Sequence, residues 1–173
     1  MRRVIFGGAN SLDNYIARAD QGVDWLLFSD EVAEIIGEFW KSIDTILMGR
    51  KTYELAAASG PGESMPGMTS YVFSRTLKQI TAPAILISED AVEVVRKLKS
   101  QPGKDICVMG GGDFARTLFE ADLIDVVGAN IHPILLGGGI PLFLPLSREI
   151  KLELHECRQL KNGCVYLTYH VKR

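Results

Sequence analysis

Apolar residues recur along this chain at two periods, and each change of period marks an element boundary. In "SDEVAEIIGEFWKSI", Val32, Ile35, Ile36, Phe39, Trp40 and Ile43 keep the three-and-four spacing of an amphipathic helix. Ser29 is placed to cap it, and acids occupy its first turn. "RKTYELAAA", "SEDAVEVVRKLKSQ" and "GDFARTLFEAD" read as further helices. Short apolar runs closed by glycine or polar residues read as strands: "RRVIFGG", "DTILMG", "SYVFS", "AILIS", "DICVMGG" and "LIDVVGANIHPIL", the last ending near Pro133. "NSLDNYIARADQGVDW" and "GPGESMPG" are polar and turn-rich, so both read as loops, the first long enough to be functional. Three glycines from Gly137 and two prolines beyond them make another loop.

The last two strands, "KLELHECRQL" and "CVYLTYHVK", flank "KNG". A two-residue turn at Asn162-Gly163 would set Leu160 opposite Val165, Leu154 opposite Val171 and Glu153 opposite Lys172, so that like faces like and opposite charges pair. Strands alternate with helices first and form an antiparallel pair last. That order predicts one domain over residues 1–173: a three-layer α/β fold with a mixed sheet, helices on both faces and an antiparallel C-terminal edge.

Composition narrows the partners. The net charge of -2 offers no basic field to nucleic acid, and no apolar run approaches the length of a membrane span. The N-terminus has too few apolar residues for a signal peptide. Cys107, Cys157 and Cys164 lack C-x-x-C spacing, which argues against a zinc site and a disulfide framework. The expectation is a cytoplasmic protein without a metal.

Candidate chemistry gathers at strand ends. In "VMGGGDFARTLF" the glycines allow close backbone approach to a pyrophosphate, and the helix that follows offers free N–H groups. Gly110, Gly112 and Ala115 match a G-x-G-x-x-A pattern, but Asn130 stands where a ribose-binding acid is wanted. "MGRKT" ends a strand on Gly49 and opens a helix with Arg50, Lys51 and Thr52. Cations there oppose the helix dipole at roughly 0.3–1 kcal/mol apiece unless an anion compensates. "VFSRTL" sets the Ser74 hydroxyl beside the Arg75 guanidinium, a pairing suited to a phosphate monoester.

These stretches, with "NSLDNYIA" and "HPILLGGGIPLF", resemble the dihydrofolate reductase superfamily over nearly the whole chain. The nearer likeness is to the branch typified by the reductase domain of the bifunctional riboflavin-biosynthesis deaminase/reductase. The resemblance implies an eight-stranded mixed sheet, NADPH as hydride donor, a small-molecule substrate and a homodimer. The activity implied is that of 5-amino-6-(5-phosphoribosylamino)uracil reductase or a related heterocycle reductase. It assigns Gly49, Arg50, Lys51 and Thr52 to cofactor phosphate and ribose, and Ser74 and Arg75 to the adenosine 2′-phosphate. Met109, Gly110, Gly111, Gly112, Asp113 and Phe114 fall on the pyrophosphate loop and its flanks. Asn10, Asp13, Trp25, Leu136, Gly137 and Gly138 fall around the substrate.

Asp13 is the candidate catalytic group, able to bind a substrate hydroxyl or amine or to organise proton delivery; its alternative is a turn residue. The family reads Ser-x-Asp-Gly where this chain has Asn14, and Asn is the best non-glycine residue at positive φ. Backbone N–H groups of Gly137, Gly138 and Gly139 are candidates for a substrate phosphate. In the proposed register His155 faces His170, without a carboxylate cluster to complete a metal site. Two rivals remain: a dihydrofolate reductase-type enzyme, which would want an acid on the first long helix (Glu34 or Glu38), and a non-catalytic NADPH sensor.

Overall fold

The computed structural model describes residues 1–58, 67–80 and 83–173. The expected loop "GPGESMPG" lies outside them except for Gly67. Among the described residues there are ten strands: β1 (Val4–Ser11), β2 (Tyr15–Ala17), β3 (Ile43–Gly49), β4 (Thr69–Phe73), β5 (Ala84–Ile87), β6 (Asp105–Gly110), β7 (Val126–His132), β8 (Ile140–Pro141), β9 (Leu152–Gln159) and β10 (Val165–Val171). The same residues form four helices: α1 (Asp30–Lys41), α2 (Arg50–Ala58), α3 (Ala91–Ser100) and α4 (Gly112–Glu120).

Eight strands form one sheet in the order β5-β4-β3-β6-β1-β7-β10-β9. The first six run parallel and β10 is antiparallel to both its neighbours. One core lies against α3 and α4, built on Val4, Phe6, Leu47, Val95, Leu98 and Leu118. A second, on Ile43, Ile46, Met48, Val72 and Cys107, takes Phe39 and Trp40 of α1 and Tyr53 of α2. The alternation of Ile46 and Met48 to one face and Leu47 to the other puts helices on both sides of β3. The expected three-layer fold is the observed one.

Two local expectations are corrected. β1 does not stop at its glycines but runs through Gly7 and Gly8 to Ser11. A Cβ on Gly7 would lie 2.0 Å from the Gly128 carbonyl oxygen, so glycine here permits the β1–β7 approach. The hairpin loop has three residues, not two. Leu160 N donates to Cys164 O, and Val165 pairs with Gln159. Gly163 alone takes positive φ (89°), whereas the two-residue turn needs it at both centres. Asn162 instead accepts from Cys164 N through Oδ1. A bulge between Thr168 and Tyr169 shifts the register again, and the His155 and His170 rings still meet, stacked at 4.4 Å.

Candidate active site

Parallel strands all present their carboxyl ends at one edge of the sheet, where an open α/β fold binds ligands. β3 and β6 are neighbours, so "MGRKT" and "VMGGGDF" meet there although some sixty residues separate them. A Cβ on Gly49 would lie 3.6 Å from Gly111 N, and one on Gly110 (φ 130°) would lie 3.1 Å from Thr52 Oγ1. The Gly110-Gly111 peptide is cis. Ser29 caps α1 and Asp90 caps α3, but no side chain caps α4. Its first bond runs from Ala115 N to Gly111 O, so the N–H groups of Gly112, Asp113 and Phe114 precede the ladder.

The cations at this edge differ in state. Arg50 is held by Glu54 one turn on, at 2.9 Å. Among the described residues Lys51 and Arg75 have no ion-pair partner, and both are exposed. Ser74 Oγ accepts from Thr76 N (3.2 Å) and Leu77 N (3.1 Å), which fixes the turn that carries Arg75. The Asp113 carboxylate is paired with Arg116.

Three cofactor candidates need correction in what their side chains do. A Cβ on Gly112 would lie 2.9 Å from Leu144 Cγ, so its bare face serves packing. Phe114 is buried and stacks on Phe73 at 4.7 Å, leaving only its backbone for a ligand. Met109 points into a cavity on the α1 side.

That cavity, about 500 Å³, runs beneath α1 along the middle of the sheet. Its roof is Val32, Ile35, Ile36, Phe39 and Trp40, with no acid from α1. Glu31 instead accepts from Lys161 N, and Glu38 pairs with Lys41. Small residues of the central strands, Gly7, Gly8, Ala9, Gly128 and Ala129, make the floor. His132 and Asn130 of β7 and Thr168 of β10 add polar atoms. Leu27 N donates to His132 Nδ1, and burial pushes this imidazole toward its neutral form. Burial also pushes the Cys107 thiol up to about 12, which leaves it inert.

Around the expected substrate loop, Asp13 is a clamp. Its carboxylate accepts from Ser11 Oγ (2.6 Å), Leu136 N (3.1 Å) and Gly137 N (2.8 Å). The Ser11 hydroxyl, and after it those two amides, hold the carboxyl below its ordinary 3.8. Asn14 takes φ 71°, as its place in the turn requires. The amides of Leu136 and Gly137 are therefore spent on Asp13. Gly139 (φ 142°) serves a close approach to Ala17 O, whereas a Cβ on Gly137 or Gly138 would meet nothing within 4 Å. Trp25 is buried against the His132 ring edge at 5.3 Å, outside the cavity wall, and Asn10 is buried with Oδ1 unpartnered.

Replacing Asp13 with Asn should loosen the 134–139 loop at neutral pH. The folded-state pKa is lowered, so the stabilisation is present above the ordinary carboxylate value and is lost as pH falls through the folded one. Thermal melts of wild type and variant should therefore differ at pH 7 and converge in acid. A constant gap from pH 7 to pH 2 would remove the carboxylate's charge from the account.

Sequence reading overlooked Gly128, Asn130 and Thr168 as wall residues. The available signal was a glycine inside the strand pattern "VVGANIH", which marks a bulge or a close approach.

Residues 2–166 match the family model described as the RibD C-terminal domain. An uncharacterized protein of Bacillus subtilis, YyaP, is 35% identical over 98% of this chain and 95% of its own length. The fold matches a Shewanella sp. PV-4 protein provisionally described as a riboflavin biosynthesis protein, at a TM-score of 0.87 with 24% identity over the whole of both chains. It also matches the dihydrofolate reductase of Enterococcus faecalis, complexed with NADP(H), at a TM-score of 0.71 with 16% identity over 99% of this chain and 97% of that one.

Proposed function

The chain belongs to the RibD C-terminal domain family, and on that premise we propose that it is an NADPH-dependent reductase of a small heterocyclic substrate. The observation that carries the reading is the meeting of Gly49, Gly110 and Gly111 beside the α4 start that no side chain caps. Bare glycine backbone and free N–H groups at a positive dipole end fit a pyrophosphate. The fold neighbour from Enterococcus faecalis carries NADP(H), which agrees with this assignment. When bound, the cofactor supplies hydride.

The chain's own residues have separable tasks. Gly111, Gly112, Asp113 and Phe114 offer backbone to the pyrophosphate, and Thr52 borders it. Lys51 and Arg75 are the unpaired cations for a phosphate on the adenosine ribose. Asp13 positions the 136–137 loop through its three accepted hydrogen bonds. The apolar roof of α1 covers the cavity. A dihydrofolate reductase-type role is disfavoured by the lack of an α1 acid in that cavity. The open outer edge of β9, with Leu152 and Leu154 exposed, supports a homodimer. No described helix is long and apolar enough to cross a membrane.

The test is cofactor choice. One charge-assisted hydrogen bond contributes roughly 1.5–3 kcal/mol. Arg75→Ala should therefore raise the Kd for NADPH by about one to two orders of magnitude and leave NADH binding unchanged. Fluorescence titration with both cofactors reads this directly. Equal losses for both would sink the 2′-phosphate assignment, and no NADPH binding by the wild type would sink the reductase.

A further inference from the structure

We infer that the notch over Gly128 is the specificity pocket of the cavity beneath α1, and that it admits an uncharged, flat, mostly apolar substrate bearing an N–H or O–H donor. This deepens the reductase reading and rests on it. Gly128 lies in the middle of β7 with Thr168 directly opposite on β10, and Asn130 follows two residues on along the same face. A Cβ at Gly128 would meet nothing within 4 Å, so the floor is open there. Both flanking side chains carry a buried oxygen without a partner, Asn130 Oδ1 and Thr168 Oγ1. The Asn130 amide nitrogen already lies 3.4 Å from His132 Nε2. Unsatisfied buried acceptors cost stability, and a ligand donor entering the notch is the group that would satisfy them.

Charge decides the rest of the substrate. Arg3 is the one lysine or arginine in the wall, and its guanidinium is committed to Asp105 at 2.9 and 2.5 Å. Residues 59–66 and 81–82 contain no lysine or arginine. Among the described residues Glu156 is the one carboxylate in the wall, and it is paired with Arg158. A phosphate taken into this cavity would meet no lysine or arginine free to pair with it. The chemistry therefore favours a neutral heterocycle over the phosphoribosyl compound of riboflavin synthesis. Met109, beside Gly110, lines the same cavity, and β6 lies two strand spacings from β7, about 9–10 Å.

The experiment uses three probes: 2-quinolone, a neutral bicyclic lactam; its N-methyl derivative, which lacks the donor; and uridine 5′-monophosphate. Binding is read from quenching of Trp40, the tryptophan in the cavity wall, and NADPH binding is titrated in the same samples. The lactam should bind wild type more tightly than the N-methyl compound by about three- to tenfold, the worth of one hydrogen bond. Thr168→Val should erase that margin. Gly128→Val should weaken the lactam by more than about tenfold through steric exclusion, without lowering the melting temperature or the NADPH affinity. Equal binding by Gly128→Val and wild type, or preference for the nucleotide, overturns the inference. NADPH binding without lactam binding also overturns it and leaves the reductase reading intact. Lactam binding without NADPH binding keeps the notch and removes the reductase.

Discussion

Gly111→Val should weaken NADPH binding by at least about a hundredfold while the melting temperature of the free protein barely moves. Two features make the position selective. Gly111 has φ -76° and ψ 173°, an extended conformation that valine adopts readily. A Cβ there would have Thr52 Oγ1 as its nearest contact at 3.6 Å, an ordinary van der Waals distance. The protein therefore has room for the β-carbon, and the ligand does not. The added methyls would stand in front of the N–H groups that open α4. Loss of one or two charge-assisted hydrogen bonds, roughly 1.5–3 kcal/mol each, corresponds to that factor. Gly112→Ala supplies the contrast, because its Cβ would press on Leu144 Cγ at 2.9 Å. Overpacking of this kind costs about 1–3 kcal/mol, so that variant should melt earlier and still bind cofactor when folded. Calorimetry beside cofactor titration separates the two. If Gly111→Val unfolds and Gly112→Ala does not, the assignments of packing and binding are reversed.

The largest structural effect should come from Gly7→Ala, a change of one methyl group. Its Cβ would lie 2.0 Å from Gly128 O, 2.7 Å from Gly128 C and 2.9 Å from Gly128 Cα. All three are backbone atoms of the paired central strand, so no rotamer change relieves the clash. The β1 and β7 ladders would have to separate in the middle of the sheet. A loss of about 3 kcal/mol or more is expected, a large part of a total stability of roughly 5–15 kcal/mol. The melting temperature should fall by roughly 6–12 °C at this chain length. Gly128→Ala, on the other member of the pair, meets open space and should be tolerated. A wild-type melting curve for Gly7→Ala would show that the two strands are not held at this distance.

Much of the scaffold was legible because its signals are local. The three-and-four spacing in "EVAEIIGEFW" defines the apolar face of α1, and the same residues became the cavity roof. Ser29 caps that helix as its sequence position suggests, and α2 spans the "RKTYELAAA" segment in full. Asn14 at positive φ followed from its own conformational preference. The glycines at the ends of β3 and β6, and the cations after β3, were visible for the same reason: each is a strand exit followed at once by a helix start.

What tertiary structure alone decided is which of these local pieces touch. Neighbouring strands β3 and β6 turned two glycine-bearing ends into one groove. Contact across 123 residues ties Asp13 to Leu136 and Gly137, a partnership invisible in a sequence that left a catalytic carboxylate and a turn residue both open. Gly7 and Gly128 look alike in sequence, yet one is pressed against backbone and the other opens into a cavity. The hairpin followed the same division: its position was legible, but the fine register was set by an Asn162 side-chain bond and a bulge. Periodicity and turn chemistry act within a few residues, so they write the elements into the sequence. Strand order, side-chain satisfaction and empty space depend on residues far apart along the chain, and exist only once the sheet has closed around them.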